Sequence, residues 1–178
     1  MRFNTHELTV TAFCAAVTAV LAWVIIPLPF SPVPVSGQTI GVMLAGILLP
    51  PRLAAASQVI YVLLGLIGLP VFSGGNSGLG TLLGPTGGYI WAFVIGAYCI
   101  SKGLRKVDKQ NKAAYYSVLC LGGVVVIYLF GMIQLMFVAD LPFGKAFLAG
   151  ALPFLPGDLA KVALVGILAR RVKHPRRG

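Results

Sequence analysis

An all-α membrane protein with six transmembrane helices and both termini in the cytoplasm is the fold class this sequence predicts, and three observations carry it. Of 178 residues, 58% are hydrophobic and 10% charged, with a mean hydropathy of +0.92, more apolar surface than a soluble core of this size buries. Six apolar runs divide the chain, near residues 8–27, 37–50, 52–69, 87–101, 115–138 and 147–170. The basic residues gather in alternate links between those runs. No polar stretch is long enough for a separate soluble unit, so one membrane domain over residues 1–178 is expected.

The first run follows Arg2 and exceeds the ~7–15 apolar residues of a signal-peptide core, with no small-x-small cleavage site before Pro27. It is read as the first span. A proline-rich link with Pro27, Pro29, Pro32 and Pro34 leads to the second run, which is short against the ~20 residues of a spanning helix. A re-entrant segment is the alternative there, and charge decides between them. With six crossings, 12 of the 14 Lys and Arg lie inside: Arg2, Arg52, the 102–112 link with Lys102, Arg105, Lys106, Lys109 and Lys112, and the C-terminal group Arg170, Arg171, Lys173, Arg176 and Arg177. Only Lys145 lies outside, and Lys161 falls within a span. Were the second run not to cross, the basic 102–112 link would move outside, against the positive-inside rule. The net charge of +10 is therefore read as topology rather than as a nucleic-acid surface.

Six crossings place the links 28–36 and 70–86 outside. Both lack acid and base and are rich in Pro or Gly. Lipid offers irregular backbone no hydrogen-bond partner, so such links must be solvated or packed on protein. The 74–89 stretch has no Gly-Lys-[Ser/Thr] ending and is no nucleotide loop. A flexible outer loop and a cap over a small molecule both remain open for it.

Polar side chains collect toward the same outer side: Gln38 and Thr39 at the start of the second run, Ser73, Asn76 and Ser77 after the third, Tyr89 opening the fourth, Gln134 in the fifth, and Asp158 and Lys161 in the sixth. An ionised residue at mid-span costs about 2.5–3.5 kcal/mol on insertion scales, so an acid and a base in one span need an explanation. Their i, i+3 spacing puts them on one helical face. A salt bridge stapling the bundle and a polar ligand site both fit. Pro156, a natural first-turn residue, sets Asp158 near a helix N-terminus, where the dipole favours its ionised form.

Ala12, Ala15, Ala16 and Ala19 give the first span two small-xxx-small pairs, a close-packing face toward a helix of this chain or of a partner. Cys14, Cys99 and Cys120 lie in or beside apolar runs without CxxC spacing, so no disulfide or metal site is expected. An enzyme needs paired catalytic groups or a metal cluster. The acids are Glu7, Asp108, Asp140 and Asp158, and the histidines His6 and His174 stand at the tails, which leaves no such set within the bundle. No inverted repeat is visible, although an autonomous permease or channel stays open as a class.

Residues 32–39 (PVPVSGQT), 65–75 (GLIGLPVFSGG), 84–89 (GPTGGY) and 156–161 (PGDLAK), in this order and spacing, resemble the BioY family over nearly the whole chain. Ser36-Gly37 stands where that pattern has Thr-Leu. The resemblance implies the six-helix S component of an energy-coupling-factor importer in the cell membrane, which binds biotin and works with a transmembrane coupling subunit and two ATPases. It implies no cofactor in this chain, since ATP is used by the partner subunits. It further implies that Asn76, Asp158 and Lys161 are polar contacts to biotin, that Gln38, Thr39, Phe72, Gly78 and Tyr89 line the site, and that the alanine face of the first helix meets the coupling subunit. Biotin's ureido group has two N–H donors and one carbonyl, the complement of a carboxylate with amide and ammonium donors.

Overall fold

The computed structural model describes residues 5–29, 31–108 and 110–171, and the basic residues Arg2, Lys109, Lys173, Arg176 and Arg177 lie outside them. Among the described residues, nine α-helical segments form the bundle: α1 (Thr5–Leu21), α2 (Gln38–Leu48), α3 (Pro51–Leu66), α4 (Gly78–Leu83), α5 (Gly87–Leu104), α6 (Lys112–Cys120), α7 (Val126–Val138), α8 (Phe143–Gly150) and α9 (Leu155–Arg171). A π turn, Leu121–Val125, joins α6 to α7 as one continuous helix, Lys112–Val138.

The apolar run at 8–27 does not stay helical. It leaves the helix at Leu21, and Ile25–Ile26 (β1) pairs antiparallel with Val35–Ser36 (β2), Ile25 facing Ser36 and Ile26 facing Val35. Gly37 fastens this ribbon: its N–H donates to Val24 O at 2.9 Å, and a Cβ there would lie 2.8 Å from Leu21 O.

α3 ends earlier than the hydropathy run. Gly68, at φ +101°, lets Leu69 N–H reach Leu64 O at 3.1 Å and its own N–H reach Gly65 O at 3.2 Å, the paired bonds of a glycine-terminated helix. α2 stops before Pro50 and Pro51, and Ser101 Oγ donates to Leu49 O at 2.6 Å. The sixth run breaks into α8 and α9, bent by 50°. Pro153 in the break has no N–H to donate and disfavours helical backbone at Leu152.

By length and hydropathy, Lys112–Val138 is long enough to cross a membrane, and α8 with α9 passes as a bent pair; α1, α2 and α3 are apolar but have 17, 11 and 16 residues. α5 sits centrally, packed on α2, α3 and α7. Backbones approach closely where Gly96 meets Gly122 of the π turn, since a Cβ on either would lie within 3 Å of the other's carbonyl oxygen. Val42, Met43, Tyr61, Ile100, Leu119 and Leu135 fill the core. The outer surface carries exposed Phe13, Val20, Ile67, Leu129 and Phe137, the last 83% exposed, an apolar periphery suited to lipid rather than water.

Candidate functional site

One end of the bundle holds a cavity of about 530 Å³, its open mouth included. Its walls come from the 33–36 link, from Gln38 and Thr39 of α2, from Ser73 and Thr86 in the 70–86 segment, and from Tyr89, Ile90 and Phe93 of α5. Ile127 and Tyr128 of α7 and Phe154, Asp158 and Lys161 at the start of α9 close it. Most of the wall is apolar, and Thr39, Tyr128 and Lys161 converge on one point.

That point is Asp158, 4% exposed in the first turn of α9. Its Oδ1 accepts from Lys161 Nζ at 2.7 Å and from Thr39 Oγ1 at 3.2 Å, and its Oδ2 accepts from Tyr128 OH at 2.5 Å. Three elements thus supply donors to one carboxylate. Lys161 Nζ also donates to Ser36 O at 2.5 Å. An ammonium has three donors and a carboxylate about four acceptor positions, so these bonds leave one of each for a ligand. A group with both N–H and carbonyl would occupy that pair side by side.

Supporting bonds hold the rim. Gln38 Nε2 donates to Tyr61 OH, and Ser36 Oγ donates to Gln38 Oε1 at 2.9 Å. Tyr89 OH donates to Gly150 O at 2.7 Å, tying α5 to the end of α8. Gln134 Nε2 reaches Leu82 O at 2.9 Å and Gly84 O at 2.7 Å, which pins α4 to α7.

Of the residues singled out in the sequence, Gln38, Thr39, Tyr89, Asp158 and Lys161 lie together on the cavity wall, and Phe72, Asn76 and Gly78 do not. Phe72 is fully buried beneath Gly65, edge-on to Tyr61 with ring centroids 5.6 Å apart, because its ring completes the α3 packing instead of facing the cavity. Asn76 is exposed, and its Nδ2 donates to Ser73 O at 2.7 Å. Gly78 starts α4 at φ +81°. The 70–86 segment is thus no plain glycine loop, since it contains a 3-10 turn, Ser73–Gly75, and α4.

The alanine face divides. Ala15 is 1% exposed and Ala19 is half-buried against the core, whereas Ala12 and Ala16 face outward. Tyr128 escaped the sequence reading. Tyrosine usually sits at the membrane interface, so a mid-span hydroxyl was the signal available for it. Among the described residues no three His, Cys, Asp or Glu side chains converge as a metal site would require.

An apolar cavity with one buried, paired charge inside a helical bundle defines a small-molecule capture protein of the membrane. The BioY family model matches residues 1–177, and the chain belongs to that family. It is 36% identical over 176 residues to the biotin transporter BioY of Rhizobium etli, covering 95% of this chain and 94% of that one. It is 39% identical over 168 residues to the probable biotin transporter BioY of Pyrococcus horikoshii, covering 94% and 96%. Among solved structures, the S component for biotin from an ECF-type ABC transporter superposes with a TM-score of 0.88 at 34% identity, over 96% of this chain and 94% of that one.

Proposed function

We propose that this chain is the biotin-capturing S component of an energy-coupling-factor importer, a transport subunit of the cell membrane and not an enzyme. The observation that carries the reading is the Asp158 centre, a carboxylate held by Thr39, Tyr128 and Lys161 on the wall of an otherwise apolar cavity. Biotin's ureido N–H donates to Asp158 and its carbonyl accepts from the remaining Lys161 N–H. The thiophane ring and valeryl chain lie against Ile90, Phe93, Ile127 and Phe154, the apolar part of the wall. The names of the relatives support the choice of ligand.

The chain crosses the membrane six times with both termini in the cytoplasm, α8 and α9 forming one broken span. The charge distribution supports this topology, and it opens the cavity to the outside. The resemblance also gives Asn76 a ligand contact. Its amide spends one N–H on Ser73 O and keeps a second N–H and its carbonyl for that contact. The coupling subunit docks on the outward Ala12 and Ala16 face of α1. Two ATPase subunits drive release inward, and this chain carries no cofactor of its own.

Equilibrium binding of radiolabelled biotin to the purified protein tests the reading. Saturable binding at or below micromolar biotin is expected, and none at that concentration overturns it. Uptake in cells lacking every coupling subunit tests the partner requirement, where a pure capture subunit moves nothing.

A further inference from the structure

Buried polar atoms are nearly always hydrogen-bonded, so each one left without a partner marks a place where something else is bound or strain is stored. Among the described residues two such side-chain atoms stand out, Gln58 Oε1 and Ser73 Oγ. Gln58 lies away from the cavity, with its amide toward Thr18 and Ser57 between α1 and α3. Ser73 is on the cavity wall.

The backbone that carries this hydroxyl is held from several directions. Phe72 N–H donates to Asn76 O at 3.0 Å, Gly75 N–H to Phe72 O at 2.9 Å, and Gly74 N–H to Ala22 O at 3.1 Å. Asn76 Nδ2 takes Ser73 O at 2.7 Å, and the buried Phe72 ring anchors the turn from below. A hydroxyl fixed at a cavity wall by its own backbone is preorganised, and a ligand group meeting it has little ordering entropy to lose there.

Of the other hydroxyls on the wall, Ser36 is engaged with Gln38, Thr39 and Tyr128 with Asp158, and Tyr89 with Gly150 O, while Thr86, at the start of α5, is not among the buried atoms left without a partner. A ligand carboxylate cannot approach Asp158, since two carboxylates at one site repel. With the ureido group at Asp158 and Lys161, the acid at the far end of biotin's side chain must find a donor elsewhere on the wall. We propose that Ser73 Oγ donates to that carboxylate and makes the site selective for the free acid over neutral derivatives. This rests on the biotin reading and deepens it.

The experiment compares biotin with its neutral methyl ester on the purified full chain, wild type and Ser73→Ala, by titration calorimetry with ligand-free melting in parallel. A hydrogen bond to a charged group is about twice as strong as a neutral one. Ser73→Ala is therefore expected to raise the Kd for biotin about tenfold and that for the ester less than threefold. Its ligand-free melting temperature should stay level or rise, because the substitution removes an unpartnered buried hydroxyl. Ser73→Thr should keep most of the preference for the acid. An unchanged biotin Kd in Ser73→Ala, an equal loss for both ligands, or a lowered ligand-free melting temperature overturns the assignment. Wild type that binds the two ligands equally well also overturns it while leaving the biotin reading intact, whereas wild type that binds neither overturns both.

Discussion

Asp158→Asn removes the charge at the centre of the site while keeping its shape. In the structure the carboxylate accepts from Lys161 Nζ at 2.7 Å, Tyr128 OH at 2.5 Å and Thr39 Oγ1 at 3.2 Å. An asparagine retains one oxygen for Lys161 and Thr39 and turns an amide donor toward Tyr128, whose hydroxyl must then reverse. Breaking a buried ion pair from one side costs about 3 kcal/mol, because the remaining charge stays buried without its counter-ion. Binding loses a separate quantity. The ureido N–H loses its charged acceptor on Oδ2, where the asparagine presents an N–H instead, about 2 kcal/mol, or roughly a thirtyfold rise in Kd. Lys161→Met combined with Asp158→Asn separates the two, since it removes both charges and leaves an apolar side chain of similar length. Thermal melting in detergent should show most of the lost stability restored in the double variant, while calorimetry with biotin shows affinity still at least tenfold below wild type. If the double variant recovers stability and affinity together, the pair is only a staple and the ligand assignment is refuted.

Gln134→Leu strips the donor from Leu82 O and Gly84 O, so hydrogen exchange of the 80–88 amides should quicken and stability fall by about 1–2 kcal/mol, with biotin affinity reduced less than in Asp158→Asn. Ala15→Leu forces a buried position and should destabilise the isolated protein by about 1–3 kcal/mol, whereas Ala12→Leu and Ala16→Leu should leave melting and biotin binding unchanged and abolish co-purification with the coupling subunit. For topology, a thiol introduced at Lys145 should react with a membrane-impermeant maleimide on intact cells, and one at Arg105 only after the membrane is opened; the reverse pattern refutes cytoplasmic termini.

Hydropathy made the helical segments legible because an apolar run is a local property, and i, i+3 spacing did the same for Asp158 beside Lys161. What it could not register is pairing at a distance. Residues 21–27 are as apolar as the helix before them, yet Val24 O is taken by Gly37 N–H and Ile25–Ile26 lie beside Val35–Ser36, contacts set by chain reversal rather than by composition. Pro153 was visible inside the sixth run, but only the folded chain gives the 50° bend that separates α8 from α9. Tyr128 follows the π turn, whose extra residue shifts every later side chain around the helix axis, so a regular helical count misplaces it. Phe72 belongs to a glycine-rich link by sequence and to the core by packing, because Gly65 leaves a space that its ring fills.

The break before α9 also explains how an ionised residue can persist there without ligand. A straight span would carry Asp158 along its length; starting α9 at Leu155 puts it in the first turn instead, where the helix dipole contributes roughly 0.3–1 kcal/mol and up to ~2 when partly buried. Hydrogen bonds to a charged group add about 1.5–3 kcal/mol each, and Asp158 has them from Thr39, Tyr128 and Lys161. Even allowing for non-additivity, that offsets an insertion cost of about 2.5–3.5 kcal/mol for the acid. The carboxylate is therefore oriented before any ligand arrives. It follows that Thr39→Val or Tyr128→Phe, which each remove one orienting donor and leave the charge in place, should lower affinity by loosening the carboxylate. Their effect should be smaller than that of Asp158→Asn and should appear chiefly as a faster off-rate, measured by chase with unlabelled biotin. An off-rate unchanged in both variants would mean that Lys161 alone orients Asp158.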